Sequence, residues 1–423
     1  MLTEYPRIGE RVRRETLSNG LPVIIVEKKD YQRKYAMFAT RYGGMDMRFF
    51  SRGRWVDTPA GIAHYLEHKM FDTEDGNALQ ELAKNGAEPN AFTANDMTCY
   101  YFDCTHHFTD NLRLLLSFVS VPYFTDESVA KERGIIAQEI RMIEDNPEWQ
   151  VYHNLMQCLY HNSPAKTPVA GSVDSIRKIT AKTLYRCHKA FYTPANMCLV
   201  VVGDVDGEEV LALANEVLGS EKGKPVPRDY GAEEDLLPAQ KETAVAMEVS
   251  MTNFLAGCKC PPLGSGEERY RQNIVGDLAC DILLGESSPL YARLYAQGLI
   301  NGTFGYDYDA LPGAAYLTFG GDSADPHAVV DAVLEEVARL QRQGLDAGYY
   351  LRVRNANLGD TIRSLNSFES IAIGFVEGCF HGFDPHRFPE IYDAITTSDI
   401  LRFLGENVTR EKLAMSIITA KEG

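Results

Sequence analysis

Midway along the chain the sequence loses every period. From Ser220 to Lys241 it reads SEKGKPVPRDYGAEEDLLPAQK, charged and proline-bearing with neither strand alternation nor a helical stripe, which is how a connection between two separately packed cores reads. What flanks this stretch constrains the fold further, because the elements on its two sides follow one order. In the first half, Asn19-Gly20 turns the chain into LPVIIVE, YAMFATRYGG follows as a second strand, and helices come next. Thr58-Pro59 predicts the start of a helix that carries GIAHYLEHKMF to Asp72, and a second helix runs from about Asn77 to Asn85 and stops at Gly86. NAFTANDMTCYYFDC reads as a hairpin around Asn95-Asp96, Asp126 opens a long helix that stops before Pro147, and MCLVVVGDV closes the half as a buried strand. After the break come strands at TAVAMEVSM and NFLAGCKC, helices, strands near FGYDY and AAYLTFGG, more helices, and a last strand LAMSIIT. The pattern predicts an α+β protein of two similar domains, 1–220 and 242–423, joined by a linker at 221–241. A length of 423 residues, nearly three typical domains of about 150, agrees with more than one core.

Charge and cysteine usage narrow the function classes. With 59 Asp and Glu against 42 Lys and Arg, the formal charge of −17 repels phosphate backbones and anionic lipid heads, so neither nucleic acid nor a membrane surface is expected as a partner. The nine cysteines are scattered, with no pair at CxxC spacing, and read as reduced thiols of a cytoplasmic protein. Cys258 and Cys260 alternate in FLAGCKC and would share one face of a strand without forming a metal site. The segment MLTEYPRIGERVRRETLSNG has no apolar core of a signal peptide, and no run is long enough to span a bilayer.

The chemistry concentrates in GIAHYLEHKMF. His64 and His68 stand four residues apart on a predicted helix, so their imidazoles share a face and can reach one ion. Glu67 lies beside them, placed to approach a water at that ion as a general base, and the spacing is the HxxEH pattern of zinc peptidases. Taken alone, the pentapeptide also fits two solvated surface histidines. A catalytic zinc needs a third protein ligand. The stripe Glu132, Ile136, Glu139, Ile143 on the helix after Asp126 lines two carboxylates up with apolar residues; it fits either buried acids that need a cation or a solvated helix edge.

With these residues in view, the chain resembles the inverzincin metallopeptidases of the pitrilysin, insulysin and mitochondrial processing peptidase family. TPAGIAHYLEHKMF is similar to the family's motif segment, NGAEPNAFTANDMTCYYF to its Gly/Asn-Ala-x-Thr/Tyr strand region, and ERGIIAQEI to its distal segment with two acids seven apart. The resemblance implies two domains, each a mainly antiparallel sheet with helices packed on one face, together forming half of a clamshell chamber. It implies Zn2+ as cofactor, with His64, His68 and Glu139 as ligands, Glu67 as the general base and Glu132 as a supporting acid. It also implies that Asn90, Ala91, Phe92 and Thr93 form an edge that receives an unfolded peptide as an added strand. From the residues alone, Asn90 fits equally well as a turn residue after Pro89, and Phe92 and Tyr100 as packing residues.

One departure bears on partners. Active family members carry an Arg, a Gly-Leu pair and a Tyr in the second domain, where this chain reads YARLYAQGLINGTFGYDYD. Aligning Gly298-Leu299 on the pair puts Leu294 and Asn301 at the Arg and Tyr positions, while Arg293, Tyr306 and Tyr308 fall out of register. The resemblance therefore implies a heterodimer in which a related, noncatalytic subunit supplies Arg and Tyr. A homodimer and a purely noncatalytic docking subunit are the competing arrangements.

Overall fold

β-Branched and aromatic runs form the strands that the alternation predicts. The computed structural model describes residues 1–74 and 76–421 and groups them into two units, each assembled from discontinuous segments. The first holds Met1–Ile140, Pro168–Asp229 and Ile362–His386; the second holds Arg141–Thr167, Tyr230–Thr361 and Arg387–Gly423. In chain order the strands of the first unit are β1 (Leu2–Tyr5), β2 (Glu10–Thr16), β3 (Pro22–Glu27), β4 (Lys34–Thr40), the hairpin β5 (Arg48–Ser51) and β6 (Arg54–Asp57), and the short pair β7 (Asp72–Thr73) and β8 (Gly76–Asn77). β9 (Glu88–Thr93), β10 (Thr98–Cys104) and β11 (Met197–Gly203) complete it. Seven of these make one sheet in the order β1-β2-β3-β11-β4-β10-β9, antiparallel except for the β3–β11 pair, with β9 at one edge.

The second unit repeats this order without the first two strands. β12 (Glu242–Met247), β13 (Asn253–Cys260), β14 (Gly305–Leu311), β15 (Ala314–Asp322) and β16 (Leu413–Ala420) line up as β12-β16-β13-β15-β14, again with a single parallel pair, β12–β16. The repeat expected from element order is thus present as topology.

The division at 221–241 needs amendment. The helix Pro147–Leu159, from the first half of the sequence, packs on β13 and β16 of the second unit, and the helix Phe368–His381, from the second half, packs on β11 and β4 of the first. Each half therefore lends the other sheet a helix at the equivalent place. In the first unit Phe368, Ile371, Ala372, Phe375 and Val376 meet the row of Ile24, Val26, Met37, Ala39, Cys198 and Val200, so both faces of the sheet are covered. The opposite face, with Tyr100 among Phe71, Phe118 and Tyr192, lies under the helices of the N-terminal half. The expected linker is tied down: Arg228 pairs with the buried Asp46 at 2.8 Å within the first unit, and Glu234 with the buried Lys259 at 2.9 Å within the second.

Candidate metal centre

The motif helix runs Ile62–Met70 and starts later than Thr58-Pro59 predicts. Gly61 at φ 88° makes the turn into it, and a Cβ there would stand 2.4 Å from the carbonyl oxygen of Ala170, so only glycine admits this close approach. The Thr58 hydroxyl donates instead to the carbonyl of Met47 at 2.9 Å. Ile62, Tyr65, Leu66 and Lys69 form the buried stripe of the helix, which turns His64 and His68 toward the helix Asp126–Asp145. The Tyr65 hydroxyl fastens the two helices by donating to the Val129 carbonyl, and Ile136 on the second helix is fully buried.

The two acids of that stripe meet the imidazoles in different ways. Glu132 Oε1 accepts a hydrogen bond from His68 Nδ1 at 3.1 Å, which directs Nε2 the other way. There, His64 Nε2 stands 3.4 Å from Glu139 Oε1 and His68 Nε2 stands 3.6 Å from Glu139 Oε2, both long for N–H···O bonds. Ligands held at zinc distances of about 2.0 to 2.2 Å stand about 3.4 Å apart on a tetrahedron, which is the spacing found. One donor atom each from His64, His68 and Glu139 lies within 4.8 Å of the other two, the sole such group among the described residues. His64 Nδ1 is buried with no hydrogen-bond partner among the protein groups, so His64 lacks the orienting bond that Glu132 gives His68. Two imidazoles and a carboxylate fit zinc.

Charge in the site follows the same division. Burial disfavours the His68 imidazolium, but the Glu132 hydrogen bond and the carboxylates of Glu67 and Glu139 outweigh it and raise its pKa above the ordinary 6.5. The His68 hydrogen bond holds the Glu132 carboxyl below its usual range, and His64 does the same for Glu139.

Glu67 is 8% exposed and lies outside the ligand group. Its Oε2 accepts a hydrogen bond from the Thr93 hydroxyl at 2.9 Å, so the edge strand β9 fixes the orientation of the carboxylate. Strand alternation places Ala91 and Thr93 on this side of the sheet. Asn90 and Phe92 point to the other side, where Phe92 packs against Tyr101 and the core beneath Phe368–His381, and Asn90 Oδ1 accepts from the backbone N–H of Ala91. Tyr100 is a packing residue whose hydroxyl meets that of Tyr192 at 2.7 Å.

In the second unit, Leu294 is fully buried and Asn301 accepts from the backbone N–H and hydroxyl of Thr303. Arg293 stands 3.8 Å from Glu336, the Tyr306 hydroxyl donates to Asp281 at 2.5 Å, and Tyr308 packs on Phe403.

Sequence reading passed over Lys69 and the Thr93 to Glu67 bond. Lys69 is 1% exposed, donates to Asp72 and stands 4.0 Å from Glu132 Oε2, so a cation lies behind the acid that orients His68. The signal was available, since Lys69 continues the apolar stripe of Ile62, Tyr65 and Leu66, and a lysine there requires a carboxylate partner. The Thr93 contact joins elements that no local pattern connects.

Comparison with known proteins identifies the family. Residues 50–173 match the family described as Insulinase (Peptidase family M16), and residues 178–357 match the Peptidase M16 inactive domain. The Bacillus subtilis protein YmfH, called an uncharacterized zinc protease, is 35% identical over 426 residues, covering 99% of both chains. A crystal structure from Alicyclobacillus acidocaldarius, described as M16-like, superposes with a TM-score of 0.94 at 30% identity over 99% of this chain and 100% of that one. A protease structure from Helicobacter pylori, at 20% identity, shares the fold with a TM-score of 0.84 over 97% and 99%. The chain belongs to peptidase family M16, in its short bacterial form. It is a member of the pitrilysin and insulinase group that the HxxEH segment resembles.

Proposed function

We propose that this protein is a zinc-dependent endopeptidase that cuts unfolded peptides. The observation that carries the proposal is the contrast between the 3.1 Å hydrogen bond from His68 to Glu132 and the 3.4 and 3.6 Å spacings around Glu139, which suit a shared cation. Zinc, when bound, supplies Lewis acidity toward a carbonyl oxygen and toward water. Glu67, held by Thr93 and free of ligand duty, takes a proton from water and returns it to the leaving amine. β9 ends its sheet, and its backbone offers an edge on which an extended peptide pairs as an added strand, with Ala91 and Thr93 toward the chemistry. Backbone pairing of this kind selects unfolded chains.

A partner subunit belongs to the proposal. With Gly298-Leu299 aligned on the family's Gly-Leu pair, Leu294 and Asn301 stand where Arg and Tyr are expected, and both are committed inside the second unit, which supports a related noncatalytic subunit as the source of Arg and Tyr. Nine free thiols, eight of them buried, support a cytoplasmic location. The deciding experiment digests a mixed peptide library with wild type and Glu67→Gln, each alone and with the related subunit, read by mass spectrometry beside metal analysis. The expected result is equal zinc in both proteins and a loss of cleavage of about a thousandfold or more in Glu67→Gln. Undiminished cleavage by Glu67→Gln overturns the mechanism, and full activity of the lone wild-type chain overturns the split arrangement.

A further inference from the structure

Two acids on one stripe of the helix Asp126–Asp145 face the imidazoles, yet only Glu139 belongs to the group of donor atoms that fits a cation. The neighbours of Glu132 hold it to a different task. Its Oε1 accepts from His68 Nδ1 at 3.1 Å, and its Oε2 faces the ammonium of Lys69 at 4.0 Å. Lys69 directly follows His68 on the motif helix and stands on the buried stripe, one turn after Tyr65, whose hydroxyl ties that stripe to Val129. An apolar side chain would continue the stripe without penalty, whereas a fully buried ammonium is costly unless carboxylates surround it. Lys69 has two such partners, Glu132 and Asp72, and donates a hydrogen bond to the second. Asp72 is set in turn by the short pair β7 and β8, where it lies opposite Asn77, the residue that caps the helix Ala78–Lys84. The ammonium is thus anchored to a segment that takes no part in the metal centre.

We propose that Lys69 is a positioning residue of the metal centre: anchored by Asp72, its ammonium fixes the Glu132 carboxylate, which holds the His68 ring with Nε2 toward the cation. The inference rests on the zinc reading of this site and deepens it. The last torsion of a glutamate is broad, so a carboxylate bonded through one oxygen alone turns readily and lets the imidazole turn with it. A charge at the second oxygen removes that freedom. Orientation then passes from the β7 and β8 pair through Lys69 and Glu132 to His68, and His64, whose Nδ1 has no protein partner, receives none of it. The sign of the effect separates this role from simple electrostatics. A positive charge beside a dication site opposes binding, so through its charge alone Lys69 would weaken zinc and its removal would tighten it. Positioning predicts the reverse.

The test measures zinc affinity by chelator competition on the full-length wild type, Lys69→Met, Glu132→Gln and the double variant. Lys69→Met, of similar length without the charge, should bind zinc about tenfold more weakly than wild type. In Glu132→Gln protein the same change should have no effect, because Lys69 acts through Glu132. Tighter binding by Lys69→Met, unchanged binding, or a loss that persists in the Glu132→Gln background overturns the proposal. Asp72→Ala serves if Lys69→Met does not fold, since it leaves the buried stripe intact and removes only the anchor. It should weaken zinc about threefold, again only while Glu132 is present. An Asp72→Ala that loses nothing, or loses equally in both backgrounds, overturns the proposal as well. None of these readouts uses peptide cleavage: a wild type that binds no zinc ends this inference together with the endopeptidase reading, whereas zinc binding equal in wild type and Lys69→Met ends this inference alone.

Discussion

Glu139 and Glu132 project from one helical stripe seven residues apart, and the structure gives them different work. Glu132 is within hydrogen-bonding distance of an imidazole nitrogen, whereas Glu139 straddles two nitrogens at the spacing of a shared cation. Zinc affinities by chelator competition should separate them. Glu139→Gln should lose a ligand and bind at least about a hundredfold more weakly, and Glu132→Gln should lose about ten- to a hundredfold as His68 loses its orienting partner. Equal, small losses would remove the distinction. The pH dependence has a definite sign. The His68 pKa is raised, so a proton competes for the ring over a window reaching above 6.5, and zinc affinity should climb with pH through that window and level off beyond it. An affinity flat between about pH 6 and 8 contradicts the assignment. At this scale the HxxEH spacing and the acid stripe were legible because helical period fixes which side chains share a face. Thr93 on Glu67 was not, because a contact from an edge strand to a helix is set by tertiary packing.

Single elements explain where sequence reading stopped. The late start of the motif helix depends on Gly61 and a carbonyl from Ala170, more than a hundred residues away, so local capping signals at Thr58-Pro59 pointed to the wrong turn. The hairpin around Asn95-Asp96 and the long helix Asp126–Asp145 were legible because turn residues and uninterrupted period mark them directly. The exchange of helices between halves was invisible to any pattern, since Phe368–His381 reads as an ordinary apolar helix wherever it packs. That exchange has a consequence for dissection of the chain. A fragment covering 1–220 lacks the helix that covers one sheet face and carries Pro147–Leu159 without the sheet it packs on. Such a fragment should not unfold cooperatively and should bind the apolar dye ANS, whereas Phe375→Ala in the full chain should cost about 3 to 5 kcal/mol in the first unit. A cooperative 1–220 fragment with native near-ultraviolet circular dichroism would show the helix to be dispensable.

Taken whole, the protein is an acidic chain with two repeats of one sheet topology, and among the described residues the candidate metal centre lies in the first. The connection between repeats helps hold the second unit together. Burial would raise the Glu234 carboxyl, but Lys259 and the backbone N–H groups of Asn162, Ser163 and His161 draw its pKa down to about 2. Because the folded pKa lies below the ordinary 4.5, this contribution is complete above that value and is lost as pH falls toward 2. Glu234→Gln should cost about 2 kcal/mol at neutral pH in urea unfolding, with the deficit shrinking on acidification. A deficit independent of pH would argue against the ion pair. Two sheet-bearing units were legible from element order, and the lack of a second HxxEH pointed to one candidate site; the discontinuity of both units was not legible. The account rests on the metal centre, and zinc-edge X-ray absorption on the zinc-loaded protein tests it most directly. It predicts one zinc per chain with two imidazole nitrogens and carboxylate oxygen in its coordination sphere and no sulfur, lost in His68→Ala. Sulfur ligation, or an unchanged spectrum in His68→Ala, would contradict it.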